Sequence, residues 1–201
     1  MSVRLLLSCA EASGDLYAGA LVRALRQREP DLHIAGLGGP HFQAAGGELI
    51  ADYRGIAVTG LTEALSKIPE VITVRRRLLA AARAATPDAL VVIDSPDFNF
   101  RLAPAVKRLG VPVVYYVSPQ IWAWRPGRIN AIGRFADLVL VIFPFEEEIY
   151  RQRGIPVRFV GLHGGRQLAD PDRSGEQRQQ QQPGARPAAG AVGRRWGVQL
   201  R

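Results

Sequence analysis

Residues 91–99 read Val91-Val92-Ile93-Asp94-Ser95-Pro96-Asp97-Phe98-Asn99, and the rest of the chain is interpreted around them. The apolar run ends abruptly at Asp94 and has the length and residue types of a strand buried on both faces. A helix is predicted to follow, to about Arg108. Asp94 and Asp97 therefore stand where a buried strand gives way to a helix, and in open parallel sheets ligands bind at that edge. Helix capping explains Asp97 equally well, but it does not explain Asp94.

Strands and helices are predicted to alternate along most of the chain. The predicted strands are 4–8, 33–37, a short one within 50–58, 91–93, 111–117, 138–143 and 157–160. The predicted helices are 16–27, a short one ending at 45, 61–68, 69–85, 98–108, 126–135 and one after residue 144. This alternation, with turns rich in Gly and Pro, predicts an α/β fold with a doubly wound, mostly parallel, Rossmann-like sheet.

The apolar periodicity stops near His163. A glutamine run follows, and then Pro, Gly, Ala and Arg without a regular pattern. Such a segment cannot bury a core. We therefore predict one folded domain over residues 1–161 and a low-complexity, disordered tail over residues 162–201.

Composition narrows the class of protein. The chain is 47% hydrophobic, has one cysteine and carries a net charge of +8, half of it after residue 160. One cysteine excludes an intrachain disulfide framework. We expect neither a signal peptide nor a transmembrane segment. The basic balance suits an anionic membrane surface or a phosphorylated substrate, with an ordinary solvated face as the alternative. Nucleic acid is a weaker interpretation, because no recognisable binding module is present.

Small and polar residues follow the first predicted strand. Glu11, Ser13, Gly14 and Asp15 lie between that strand and its helix, where backbone N–H groups favour anions. The stretch is not a complete GxGxxG fingerprint, and Ser13 or Asp15 also fits a helix cap. Glu11 should face the cleft from the strand exit. Gly39, after the second strand, allows the backbone to approach a ligand closely.

Two further segments combine apolar and cationic residues. The first places Leu61, Leu65 and Ile68 at helical spacing shortly before Arg75, Arg76 and Arg77. An apolar stripe usually packs into the core, but its combination with arginines is typical of a membrane interface. The second is the loop of residues 118–125, which contains Trp122, Trp124 and Arg125. We interpret this loop as substrate-facing, with a hydrophobic plug beneath a helix as the alternative.

Five collinear motifs within residues 4–161 resemble the N-terminal half of lipid-A-disaccharide synthase, a bacterial glycosyltransferase family of lipopolysaccharide assembly. The motifs are Glu11-Ala12-Ser13-Gly14-Asp15, Gly38-Gly39-Pro40, Ile93-Asp94-Ser95-Pro96-Asp97-Phe98-Asn99, Tyr116-Val117-Ser118-Pro119 with Trp122-Ala123-Trp124-Arg125, and Pro144-Phe145-Glu146. Each motif is weak alone, and their common order makes the match specific.

The resemblance implies a hexosyltransferase of the GT-B type, with two Rossmann-like domains facing a cleft. It implies transfer of 2,3-diacylglucosamine from its UDP derivative to 2,3-diacylglucosamine 1-phosphate, without metal or cofactor, on the cytoplasmic face of the inner membrane. A homo-oligomer is left open. Asp94 is the expected general base, with Asp97 as a second catalytic candidate. The expected substrate contacts are Glu11, Ser13, Gly14, Asp15, Gly39, Asn99, Ser118, Trp122, Trp124 and Arg125.

The sequence departs from the family pattern after Gly161. There Leu162-His163-Gly164 replaces a Gly-His-Pro turn, and the second domain, which should hold most of the UDP-binding groups, does not follow. We therefore expect this chain alone to be inactive. Two alternatives are a non-catalytic remnant or frameshifted fragment that at most binds acylated sugar or membrane, and an unrelated nucleotide-binding α/β domain. The collinear motifs argue against the second.

Overall fold

The computed structural model describes residues 3–57, 66–119 and 127–161. Its seven strands form one sheet in which every neighbouring pair is parallel, in the order β3-β2-β1-β4-β5-β6-β7. The strands are β1 (Arg4–Cys9), β2 (His33–Gly38), β3 (Glu48–Asp52), β4 (Ala89–Ile93), β5 (Val113–Tyr116), β6 (Leu138–Val141) and β7 (Val157–Phe159). This topology confirms the predicted doubly wound α/β sheet.

Helices connect the strands. They are α1 (Ala12–Arg28), α2 (Pro40–Ala44), α3 (Ile68–Ala85), α4 (Pro96–Lys107), α5 (Gly127–Phe135) and α6 (Pro144–Arg151), and a 3₁₀ turn covers Tyr53–Gly55. Within the described ranges, no helix is both long enough and apolar enough to cross a bilayer.

The sheet reverses its direction of growth between β1 and β4. Strands β2 and β3 are added outward on one side of β1, and β4 to β7 are added on the other. Cys9 and Ile93, the last residues of β1 and β4, are register partners. The residues that follow both strands therefore emerge side by side, at the switch point where ligands bind in open α/β sheets.

The buried β4 strand explains why its sequence is a continuous apolar run. Leu90 and Val92 belong to the core cluster that includes residues of α3 to α6, and Val91 and Ile93 belong to the cluster that includes residues of α1 and α2. All four side chains are at most 7% exposed. Since successive side chains of a strand point to opposite faces, both faces of β4 must be apolar.

Two helices begin earlier than the sequence indicated. Helix α1 begins at Ala12 rather than Leu16, and α4 begins at Pro96 rather than Phe98. Ser13 to Asp15 are thus helical residues of the first turn and not a loop before it. Strands β5 and β6 are shorter than predicted. Most of the helix predicted over 61–68 lies outside the described residues, as does the predicted disordered tail.

Candidate functional site

Two carboxylates are neighbours where β1 and β4 end, at the sheet edge where open α/β sheets form their ligand crevice. Glu11 is the exposed N-cap residue of α1, and Asp94 is the first residue after β4. The negative charge of Glu11 contributes to raising the pKa of Asp94, so the two side chains are electrostatic neighbours, as predicted. The Ala10 N–H donates to the Ser95 hydroxyl at 3.2 Å and ties the two strand exits together.

The backbone at Asp94 is held in an unusual conformation. Asp94 and Ser95 have left-handed φ angles of +42° and +45°, and nearby Val117, which is β-branched, has φ +55°. Each such conformation costs on the order of 1–3 kcal/mol and persists only where the surroundings impose it. Here the Asp94 N–H donates to the carbonyl oxygens of Tyr116 and Val117, at 3.3 and 3.2 Å.

The Asp94 carbonyl oxygen is fixed from the other side by two buried donors. It accepts from the Asn99 side-chain amide at 2.8 Å and from the Tyr115 hydroxyl at 3.0 Å. Asn99 Nδ2 also donates to the Ile93 carbonyl at 3.2 Å, and Asn99 Oδ1 accepts from the Ser8 hydroxyl at 2.7 Å. The Asn99 side chain is fully buried and engaged at both ends. The Asn99 amide is thus engaged inside the protein, and its expected contact with substrate stays a prediction.

Tyr115 is a site residue that sequence reasoning missed. It belongs to a plain strand pattern, and nothing in that pattern distinguishes its hydroxyl from any other buried tyrosine. Burial, followed by the charge of Asp94, raises the pKa of Tyr115 well above its ordinary value. The hydroxyl therefore stays protonated and remains a hydrogen-bond donor to Asp94.

The surroundings of Asp94 raise the pKa of its carboxyl group. Its pKa is raised from 3.8 to about 6, first by burial and then by the charge of Glu11, with the Ser95 N–H acting in the opposite direction. A carboxylate with a pKa just below neutrality is ionised at pH 7 and is a stronger base than a solvated aspartate. Perturbed groups of this kind in a crevice are typical of functional sites.

Asp97 is different from Asp94 in its surroundings. Its side chain is 94% exposed and lies 3.6 Å from Arg128, whose guanidinium stacks over the Phe100 ring at 5.5 Å. Asp97 occupies the first turn of α4, where a carboxylate interacts favourably with the helix dipole. Ser95, and not Asp97, is the N-cap residue of α4, so the structure does not support the capping alternative for Asp97. Asp97 also has none of the burial that raises the pKa of Asp94.

Asp15 and Gly39 form a structural junction between α1 and α2. The Asp15 carboxylate is fully buried and accepts from the backbone N–H groups of Gly39, His41 and Phe42 at 2.8–2.9 Å. A Cβ at Gly39 would lie 2.3 Å from the Tyr53 ring and 2.8 Å from Asp15 Oδ2. The Asp15 carboxylate is therefore engaged in internal bonds that join α1 to α2, and the glycine is required by close packing.

Two further candidates also have structural roles. Ser118 is 4% exposed, and its hydroxyl is hydrogen-bonded to the Tyr150 hydroxyl, so it does not face the crevice as expected. A Cβ at Gly14 would lie 3.0 Å from Cys9 Cβ, so this glycine lets α1 pack closely on β1. Ser13, by contrast, is exposed on the first turn of α1, at the crevice edge.

The structure describes only some of the remaining candidates for substrate or membrane contact. Leu61, Leu65, Trp122, Trp124 and Arg125 lie outside the described residues. Ile68, at the start of α3, is 48% exposed, which is unusual for a large apolar side chain. Arg76 and Arg77 are exposed on α3, and Arg75 is half-buried.

The fold and the crevice define a class. An all-parallel doubly wound sheet of this order is a Rossmann-like domain, and its neighbouring carboxylates lie at the edge where such sheets bind ligands. Residues 5–182 match the model of the lipid-A-disaccharide synthetase family, and the chain belongs to that family. A lipid-A-disaccharide synthase of Myxococcus xanthus is 48% identical over 169 residues, which are 84% of this chain and 44% of that relative. The chain thus spans less than half of its relative's length.

Solved structures with similar folds have low sequence identity. The UDP-GlcNAc 2-epimerase of Neisseria meningitidis bound to UDP-GlcNAc matches with a TM-score of 0.56 and 12% identity, over 89% of this chain and 51% of that one. The glycotransferase of kitacinnamycin matches with a TM-score of 0.51 and 15% identity, over 80% and 51%. These similarities concern the fold alone, and they agree with the Rossmann-like, GT-B-type architecture that the family resemblance implied.

Proposed function

We propose that this chain provides the acceptor side of a lipid-A-disaccharide synthase. The reaction transfers 2,3-diacylglucosamine from its UDP derivative to 2,3-diacylglucosamine 1-phosphate and yields lipid A disaccharide 1-phosphate and UDP. Family membership supports the reaction class. The observation that carries the residue assignment is the partly buried Asp94 carboxyl at the switch point, with its pKa of about 6.

Asp94 is the proposed general base. Its carboxylate takes the proton from the attacking hydroxyl of the acceptor as that oxygen forms a bond to the anomeric carbon of the donor. The bond from the anomeric carbon to the UDP oxygen breaks, and UDP leaves with the bonding electrons. Positioned proton transfer of this kind contributes about 10²–10⁴-fold to a rate. Glu11, exposed beside Asp94, is placed to accept hydrogen bonds from other sugar hydroxyls.

The acceptor phosphate is assigned to the first turn of α1. The side chain of Glu11, the N-cap residue of this helix, makes no capping hydrogen bond, so it does not satisfy the first N–H groups. Helix N-termini favour phosphate groups, and the exposed Ser13 hydroxyl adds a donor there. Glu11 at the N-cap position would repel a dianion, so we place Glu11 at the sugar and Ser13 at the phosphate.

An anionic membrane is the proposed partner surface. The adjacent helices α3, α4 and α5, with Arg108 directly after α4, hold nine basic and two acidic residues, whereas the other residues up to 161 hold ten basic and thirteen acidic. Most of the positive charge of the folded part is therefore on one group of helices. Such a surface attracts anionic lipid, and the exposed Ile68 provides an apolar contact beside it. We propose a peripheral location at the inner face of the inner membrane.

A chimaera tests the catalytic assignment. Residues 1–161 of this chain are joined to the remaining part of the Myxococcus xanthus relative, and disaccharide formation from both substrates is measured. Asp94→Ala should lower kcat by about 10²–10⁴-fold, whereas the exposed Asp97→Ala should retain activity within about threefold. Equal effects of the two substitutions would refute the assignment of Asp94. Calorimetric titration of the 201-residue chain with the acceptor separately tests a purely binding role.

A further inference from the structure

The geometry points to Tyr115 as a positioning residue for the proposed reaction: its buried hydroxyl, with the Asn99 amide, holds Asp94 in the left-handed conformation that presents the carboxyl to the crevice. This inference rests on the proposed function of Asp94. It concerns a side chain that touches no substrate and acts only through the backbone of the base.

The backbone of Asp94 and Ser95 turns sharply at the end of β4. Asp94 and Ser95 are consecutive left-handed residues without glycine, and both follow a strand whose residues are extended. An ordinary extended residue at 94 would continue the alternation of β4 and direct the side chain along the next face of the sheet. The left-handed turn instead changes the direction of the chain at the point where the carboxyl must reach the crevice.

Hydrogen bonds on both sides of Asp94 hold this turn in place. The Asp94 N–H is held by two carbonyl oxygens at the end of β5, and its carbonyl oxygen is held by Tyr115 at 3.0 Å and Asn99 at 2.8 Å. Ser8, from β1, orients the Asn99 amide through a 2.7 Å bond. Strands β1 and β5 and helix α4 therefore contribute to the conformation of one residue, and the Tyr115 bond links it to the core.

The Tyr115 hydroxyl is a rigidly held donor. Tyr115 is fully buried, and its ring makes edge contacts with Phe100 at 6.4 Å and a tilted contact with Phe135 at 6.1 Å between centroids. A ring packed on two sides keeps its hydroxyl at a fixed position. Removal of the oxygen alone should leave this packing intact and release the Asp94 carbonyl.

The neighbouring tyrosine offers a matched control. Tyr116 is 1% exposed and packs edge-on against Tyr17 in the other core cluster. Tyr115→Phe and Tyr116→Phe thus delete the same atom from adjacent residues of one strand, on opposite faces of the sheet. Only the first deletes a bond to Asp94.

The first measurement is amide hydrogen exchange by NMR on the 201-residue chain. We expect Tyr115→Phe to accelerate exchange at Asp94 and Ser95 by about tenfold relative to a core amide such as Leu7, and Tyr116→Phe to leave that ratio unchanged. Ser8→Ala, which frees the Asn99 amide, should act in the same direction with a smaller effect and serves if Tyr115→Phe is too unstable. Identical exchange ratios in all variants would overturn the inference.

The second measurement is steady-state kinetics in the chimaera. Loss of positioning should lower kcat by about tenfold with little change in the KM for acceptor, because misplacement affects the reacting group and not the bound sugar. A loss of folding would lower the active fraction in both tyrosine variants in proportion to their stability. If Asp94→Ala is inactive but the two tyrosine variants behave alike, positioning by Tyr115 is refuted and the assignment of Asp94 stands. If Asp94→Ala is active, the proposed function fails. Hydrogen exchange then still tests whether Tyr115 holds the backbone of Asp94.

Discussion

Replacing Asp94 by asparagine should stabilise the fold while it removes the proposed base. The pKa of Asp94 is raised from 3.8 to about 6. A group whose pKa is higher in the folded state favours folding when protonated, and that contribution is lost as pH rises through 6. Above pH 6 the ionised side chain therefore destabilises the wild-type protein. Asparagine is neutral at every pH and is itself well tolerated at positive φ, so it avoids this cost without adding strain.

The magnitude follows from the shift of about two units. At 1.36 kcal/mol per unit the upper bound is about 3 kcal/mol, and partial exposure of Asp94 to solvent reduces this to about 1–2 kcal/mol. For a domain of this size, that gain corresponds to a rise in Tm of roughly 3–6 °C. Because the unfolded aspartate titrates near 3.8, the difference between variant and wild type should be largest above pH 7 and shrink towards zero near pH 4.

Urea denaturation of the 201-residue chain between pH 4 and pH 8 measures this difference. Asp97→Asn is the matched control, since Asp97 is 94% exposed and its substitution should leave stability nearly unchanged at all pH values. The reasoning is refuted if Asp94→Asn gives no gain at pH 8, or if the gain is independent of pH. Either result would mean that the crevice does not desolvate Asp94.

The remaining predictions concern the scaffold and the membrane surface. Asp15→Ala should lower the free energy of unfolding by about 3 kcal/mol or more, since three backbone donors lose a charged acceptor, and chemical denaturation measures it. Gly39→Ala should lower the free energy of unfolding by about 1–3 kcal/mol, because its Cβ would lie 2.3 Å from a carbon of the Tyr53 ring. Gly55→Ala, with open space around the added Cβ, should be nearly neutral in the same assay. Ile68→Ser should weaken sedimentation with anionic vesicles, while Leu16→Ser, at an exposed apolar position on α1 and outside the group of basic helices, should not; equal binding of both variants would argue against the proposed membrane contact.

The sequence alone determined the architecture and the location of the site. The β4 run is apolar at every position because both faces of the strand are covered, and that pattern is local. Alternation of such strands with helices predicted the parallel sheet, and parallel strands bring their carboxyl ends to one edge. The expectation that Glu11 and Asp94 meet there needed no tertiary information beyond the topology.

Only the tertiary structure decided which polar side chains serve the site and which serve the scaffold. Asp15, Asn99 and Ser118 follow strands or begin helices just as Asp94 does, so a local pattern does not separate them. Their partners are distant in sequence: the Ser8–Asn99 bond joins residues 91 positions apart, and the Asp15–Gly39 bond joins residues 24 apart. The left-handed conformation at residue 94 is likewise imposed by donors and acceptors from other strands, without a glycine to signal it. Burial and hydrogen-bond satisfaction are properties of the packed chain, and for that reason they separate Asp94, the proposed base, from the internally bonded Asp15.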